Sequence, residues 1–253
     1  MGIVRDPGSA SLLRQAVRSG ADLIGGIDPC GLDRDPRRHL DVVFGIAEAE
    51  GVGVDIHLHE LGELGMFSLD LICERVRVLN MQGKVTISHA HALATASSRA
   101  VESAIEDIAA LDIAVTTIAP GGNRVLPLKL LTEAGVRLGL GQDGMRDYWS
   151  PFGDADMLSR TWQLAFVQQL RKDSDIEDCL AIATLGGRAV LDPDRTHRLF
   201  PDGLASTTGL DIGDRADMVL LPGESPTSVV MDKPTRRTVI RAGKVIAKDG
   251  VLL

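Results

Sequence analysis

Positive charge, thiols, aromatic rings and long apolar runs are all in short supply in this sequence. Lys and Arg number 27 against 35 Asp and Glu, a formal net charge of -8, and no basic cluster lies on one helical face. That balance argues against a nucleic-acid footprint. Three cysteines occur, Cys30, Cys73 and Cys179, an odd and widely spaced set. Such a set builds no disulfide framework and fits a reducing cytoplasm. No apolar run is long enough to span a bilayer and no stretch reads as a signal peptide, so a cytoplasmic protein with no membrane partner is expected. Aromatic residues make 3% of the chain. Trp149 is one of the few, and its place in a loop sets it apart from a core tryptophan. What remains, 44% hydrophobic and 25% charged residues over 253 positions, describes an ordinary globular protein with a sizeable core.

Periodicity supplies the fold class. Helical stripes are read over residues 9–19, 36–50, 67–80, 97–110, 127–134, 155–170 and 175–183, with a shorter one near 185–191. Short apolar segments at 22–27, 52–58, 84–88, 112–118 and 136–140 fall between them. Strand and helix alternating through short connections means βαβ units and a parallel sheet, either a barrel or a doubly wound form. No dinucleotide-binding glycine fingerprint and no P-loop occurs. From about residue 203 the texture becomes β-rich with turn glycines. There, Thr238-Val-Ile-Arg and Lys244-Val-Ile around Ala242-Gly243 read as a hairpin of an appended small sheet.

The strand at 52–58 closes in His57-Leu58-His59-Glu60. Alternation puts Val54, Ile56 and Leu58 on one face and Asp55, His57 and His59 on the other. Two later strands end in the same way, in Ser88-His89-Ala90-His91 and Gly141-Gln142-Asp143-Gly144. Residues at the C-terminal ends of parallel strands share one mouth. A His/His/Asp set beside a Glu is what metal-activated water needs: imidazole and carboxylate hold a divalent ion, and a second carboxylate moves the proton. One such residue alone is more often structural, so the reading rests on the three strand ends together.

These motifs resemble a known family. The order His-x-x-Glu, Ser-His and Gly-x-Asp-x-x-x-Asp-x-Trp-x-Pro-x-Gly, the last running from Gly141 to Gly153, is similar to the cytosine deaminase-like branch of the amidohydrolase superfamily. Gly25-Gly26-Ile27-Asp28-Pro29, Gly213-Asp214-Arg215-Ala216-Asp217 and Gly243-Lys244-Val245 extend the resemblance over essentially the whole chain. It implies an α/β protein, a (β/α)8 TIM-type barrel lacking its first strands, with a C-terminal β-sandwich segment. Residues 1–200 are expected to hold strands four to eight of the barrel and residues 201–253 half of the sandwich.

The resemblance also implies one divalent metal ion, Fe2+ or Zn2+, with His57 and Asp143 as ligands. Glu60 is the implied proton shuttle, His89 the histidine that orients water and substrate, and Asp143 both ligand and base. Trp149, Asp28 and Cys30 are the implied substrate-lining residues. The implied activity is metal-dependent hydrolysis of a non-peptide C–N bond, an aminohydrolase or deaminase acting on a cytosine-like pyrimidine or triazine ring by metal-activated hydroxide. Its partner is a small heterocyclic substrate, with a homo-oligomer an open possibility.

The sequence departs from the family pattern in two places. Gly144 stands where cytosine-specific members often carry an acid, which leaves pyrimidines and triazines both open. No His-x-His pair precedes His57, and about five barrel strands are read where a closed barrel has about eight. Met1-Gly2 resembles the end of the family's Phe-Pro-Gln-x-Gly motif. The resulting expectation is an N-terminally truncated chain, inactive as written, whose first and last parallel strands are open edges with apolar flanks. A non-catalytic α/β scaffold or ligand-binding remnant of the family is the competing reading. His39 and His197, read in polar settings, are not expected to replace the absent pair, and His59 and His91 are read as pocket rim.

Overall fold

A computed structural model describes residues 2–192 and 212–253 of the chain. The expected boundary between residues 200 and 201, and His197, lie outside the described residues.

The first sheet is all parallel. It contains β1 (Leu23–Ile27), β2 (Gly53–His57), β3 (Val85–Ser88), β4 (Ala114–Thr117) and β5 (Leu138–Leu140), in that spatial order. Ile27 is in register with His57, His57 with Ser88, and Ser88 with Thr116. Helix α1 (Ser9–Arg18) precedes β1, and the connections carry α2 (Pro36–Glu50), α3 (Gly62–Val78), α4 (Ala92–Thr95), α5 (Ser98–Ala110) and α6 (Leu128–Glu133). An order that never reverses is wound in one sense, which excludes the doubly wound alternative and sends right-handed crossovers to one face. On that face Ile24, Val54, Ile56, Val85, Ile87 and Val115 are buried. They join one core with Leu40, Val43 and Phe44 of α2, Leu69, Ile72 and Val76 of α3, and Ile105 and Ile108 of α5. Truncating any of these to Ala costs about 2–5 kcal/mol.

Helix α3 begins five residues before the periodic pattern does, because Gly62 and Gly65 interrupt its apolar stripe. Gly65 is there for space: a β-carbon on it would lie 2.2 Å from Glu60 O and 2.7 Å from the Ala92 β-carbon.

Two expectations about this sheet are corrected. His39, read in a polar setting, is fully enclosed, with Nδ1 2.6 Å from Asp33 Oδ2. Asp33 Oδ1 accepts the Val4 and Arg5 N–H groups at 3.0 Å each, so the pair ties the start of the chain to α2. The apolar flanks expected to lie open at β5 are buried instead. Leu138 and Leu140 are buried, and Gly139 faces Val190 and Gly187 of α9 (Gly187–Leu191) so closely that an added β-carbon would be 3.1 Å from Val190 Cγ2. At β1, Leu23 and Ile27 are 46% and 39% exposed. Away from the strand C-termini, Arg137 is buried and bonded to Asp112 Oδ1, Ala189 O, Gly83 O and Asp112 O, pinning the starts of β3, β4 and β5.

After α7 (Met157–Val167), α8 (Asp173–Ala181) and α9 comes an antiparallel sheet, β6 (Met218–Leu220), β7 (Thr238–Arg241), β8 (Lys244–Lys248) and β9 (Val251–Leu252), paired in sequence order. The β7–β8 hairpin turns on Ala242 and Gly243 at φ 48° and 77°, both left-handed, as a tight two-residue turn demands. Helix α10 (Pro226–Asp232), which the sequence does not announce by periodicity, starts in a capping box between Ser225 and Ser228. No described helix is long and apolar enough to cross a membrane.

Candidate active site

The polar residues singled out in the sequence gather at the C-terminal ends of the parallel strands. The backbone there is unusual. Asp28 after β1, His89 and Ala90 after β3, and Ala119 after β4 all adopt positive φ, at 41°, 71°, 47° and 55°. Each is a non-glycine residue held in a sparsely populated conformation, the kind of local cost that accumulates where side chains must be aimed.

Four histidines are aimed together. His89 Nε2 is 3.2 Å from His57 Nδ1. The His59 ring lies 4.2 Å from that of His89 and 5.9 Å from that of His57, centroid to centroid. His91 stands behind them, 5.4 Å from His89 and 5.9 Å from His59. His57, His59 and His89 each offer a ring nitrogen, all within 4.8 Å of one another. Asp28 orients His59: Oδ1 accepts the His59 backbone N–H at 2.7 Å and Oδ2 meets Nδ1 at 3.0 Å. Holding the Nδ1–H this way leaves the Nε2 lone pair free to ligate, the usual role of a carboxylate behind a metal-facing imidazole.

The electrostatics agree with a cation-ready cluster. Burial, then the neighbouring His59 and His57, pushes His89 down to about 4. Burial, then Arg124 and His59, does the same to His91, also to about 4. Both are neutral at physiological pH, the form in which imidazole ligates. His59 is raised, chiefly by its hydrogen bond to Asp28. Burial by itself would raise Asp28, but the bonds from His59 outweigh it and the carboxyl sits below its ordinary value. The buried Nδ1 atoms of His89 and His91 have no hydrogen-bond partner. Three convergent imidazoles, two neutral rings and unspent nitrogens fit a divalent metal ion.

Glu60, the residue after His59, is buried. Its Oε1 accepts the Gly31 N–H at 2.7 Å and its Oε2 accepts the Ser68 hydroxyl. Cys30 Sγ is 3.4 Å from the same hydroxyl, and burial raises its thiol. Beneath His57, on the same face of β2, Asp55 accepts the Ser88 hydroxyl at 2.7 Å, and Ser88 in turn accepts the Thr116 hydroxyl at 2.9 Å. Burial raises the Asp55 carboxyl.

The structure therefore brings His57, His89 and Glu60 to one end of the sheet and adds His59, which the sequence reading left at the rim. The signal was present: alternation had placed His57 and His59 on one face. Asp143 is exposed on the loop after β5 and is near enough for its charge to act on His59 and His89, but it lies outside the 4.8 Å group. Asp143 and Trp149 share the wall of a cavity of about 620 Å³. Trp149 is 87% exposed, its ring edge-on to Tyr148 at 5.6 Å between centroids. Asp28 is taken up by His59, and Cys30 belongs to the Glu60–Ser68 group.

A sequence model of the Amidohydrolase family, Amidohydro_3, matches residues 1–247. The chain belongs to the amidohydrolase family. It is 30% identical over 252 residues to N-isopropylammelide isopropyl amidohydrolase of Pseudomonas sp. (strain ADP), covering all of this chain and 60% of that protein. The crystal structure of N-isopropylammelide isopropylaminohydrolase from Burkholderia multivorans superimposes with a TM-score of 0.90 at 39% identity, over 100% of this chain and 62% of that one. For 5-methylcytosine deaminase from Klebsiella pneumoniae the TM-score is 0.83 at 23% identity, over 99% of this chain and 61% of that one, a likeness of fold. The amidohydrolase chain thus spans about 60% of the length of the relatives it matches.

Proposed function

We propose that this amidohydrolase chain carries the metal-binding and proton-transfer residues of a hydrolase that cleaves an exocyclic C–N bond of an amino-substituted triazine or cytosine-like pyrimidine. The observation that carries the reading is the convergence of His57, His59 and His89, each offering a ring nitrogen within 4.8 Å of the others, at the strand end that the buried Glu60 follows. In this reading the five-stranded sheet is an arc of a (β/α)8 barrel, and the antiparallel sheet belongs to a β-sandwich.

His57 and Asp143 would hold the divalent ion, zinc or ferrous iron, with the His59 and His89 nitrogens close by. When bound, such an ion acidifies water towards neutrality and polarises the ring carbon. The reaction replaces C–N by C–O: water supplies the oxygen, and one of its protons leaves with the amine. In this reading Glu60 takes that proton. The Gly31 N–H and the Ser68 hydroxyl fix its two oxygens, so a proton taken at one can be passed to the leaving nitrogen. His89, neutral and buried, would hydrogen-bond the incoming water or the ring, and Trp149, Asp28 and Cys30 would line the substrate. A reducing cytoplasm suits the three free thiols.

Equilibrium dialysis and metal analysis test this reading. Purified chain should take up about one Zn2+, and His57→Ala or His89→Ala should weaken binding by 10-fold or more. Absence of saturable, His57-dependent binding would reject the site. Amine or ammonia release from N-alkylamino-triazines and aminopyrimidines then separates enzyme from scaffold. Metal uptake without turnover favours the non-catalytic reading.

A further inference from the structure

A continuous chain of polar contacts joins the C-terminal sheet to the loop that carries Asp143. Arg237, one residue before β7, sets its guanidinium on Asp156 with two parallel bonds, Nη1 to Oδ1 and Nη2 to Oδ2, each 2.8 Å. Its Nε donates to Pro234 O at 2.7 Å, so the fork is aimed from the sheet side. A bidentate pair of this kind fixes direction as well as distance. Asp156 is also the N-cap of α7, its Oδ1 accepting the Leu158 N–H at 2.9 Å.

One turn along α7, Arg160 donates Nε and Nη2 to Gln142 Oε1 at 3.1 and 2.5 Å, and Nη1 to Ile118 O at 2.9 Å. Gln142 Nε2 returns to Asp156 O at 3.4 Å, which closes the ring. Gln163, on the same helix, donates to Ala119 O at 2.8 Å. The first turns of α7 therefore clamp the segments that leave β4 and β5, and the antiparallel sheet clamps the start of α7. Gln142 is the residue before Asp143. An exposed carboxylate on a loop takes its direction from its backbone, so whatever fixes Gln142 aims Asp143.

We propose that the C-terminal sheet positions Asp143 through Arg237–Asp156 and Arg160–Gln142. This rests on the reading of Asp143 as a metal-facing carboxylate. Arg237, Asp156, Arg160 and Gln142 are then positioning residues, and the sheet is a working part of the site rather than an appendage.

Two measurements on the full chain test it. Chymotrypsin cleavage at Tyr148, Trp149 and Phe152, followed by mass spectrometry, reads the loop directly, with Phe67 on α3 as internal reference. Arg237→Gln and Arg160→Gln should raise loop cleavage several-fold and leave the Phe67 rate unchanged, with Arg237→Lys intermediate. Unchanged loop cleavage, or an equal rise at Phe67, overturns the latch. Co2+ affinity and visible spectrum, measured in a double-mutant cycle with Asp143→Asn, read its purpose. Arg237→Gln and Asp143→Asn should each weaken Co2+ binding about 10-fold, and the double variant should lose no more than either, as for residues acting through one another. Additive losses overturn the claim that the latch works through Asp143. If Asp143→Asn leaves Co2+ affinity and spectrum unchanged, it is the metal-facing reading of Asp143 that fails, and the proteolysis result alone decides the latch.

Discussion

Replacing Asp33 by Ala should be among the most damaging single changes in the chain, although Asp33 lies outside the reaction site. Its side chain is fully enclosed and serves three donors, His39 Nδ1 at 2.6 Å and the Val4 and Arg5 N–H groups at 3.0 Å. Breaking a buried pair by removing one partner costs about 3–5 kcal/mol. For a chain of this size, at about 2–4 °C per kcal/mol, the thermal midpoint should fall by roughly 6–20 °C. Asp33→Asn keeps an acceptor for the two amides and should cost less, about 1–3 kcal/mol. Burial by itself would raise the Asp33 carboxyl, but the bonds from His39, Arg5 and Val4 outweigh it and hold it below its ordinary value. A carboxyl lowered in the folded state gives stability that is full above the unfolded pKa, about 3.9, and is lost as pH falls through the folded one. Urea unfolding followed by circular dichroism at pH 7 and pH 3 tests both points. The difference between the parent chain and Asp33→Ala should be large at pH 7 and narrower at pH 3. A loss under about 1 kcal/mol at pH 7 refutes the account, since it would mean that the enclosed donors find other partners.

The remaining predictions concern the site. Gly65→Ala should destabilise by about 1–3 kcal/mol in the same unfolding assay, because its β-carbon meets Glu60 O at 2.2 Å; parent-like stability would deny that close approach. In metal-free protein, NMR titration of the imidazole signals should show His89 and His91 neutral down to about pH 4. His59 should titrate above its ordinary value, and Asp28→Asn should bring it back down. The His59–Asp28 contribution to stability is then present below about pH 6.5 and lost as pH rises through the folded value; a His59 titration indifferent to Asp28→Asn would refute the pairing.

Much of the fold was legible because its signals are local. Strands β1 to β5 come from apolar runs of the right length between helical stripes, and the β7–β8 hairpin from a glycine-containing two-residue turn. The five parallel strands and the small antiparallel sheet are where the sequence places them. The His57, His89 and Glu60 ends were legible for the same reason, since a strand terminus and an alternating face are sequence properties. Other features depend on partners far away in the chain. His39 looked polar, yet it falls on the stripe with Val43 and Ile46 at helical spacing, so its burial could have been read; its partner Asp33 sits in a loop with no periodicity to betray it. Asp28 was read as pocket lining because the family resemblance implied it, and only the fold sets it against His59.

Asp143 marks the limit most clearly. Its motif, Gly141 to Gly153, is the longest and most specific in the chain, but a motif fixes residue types and leaves the loop's direction to its supports. Those supports are Arg160 on α7 and Arg237 at the start of β7, the latter 81 positions from its partner Asp156. Neither arginine stands out in a sequence with 27 Lys and Arg. Each gains meaning only when its guanidinium is seen bridging elements that the chain keeps apart. Local pattern therefore identifies the groups that can do the chemistry, and long-range polar contacts decide whether those groups face one another.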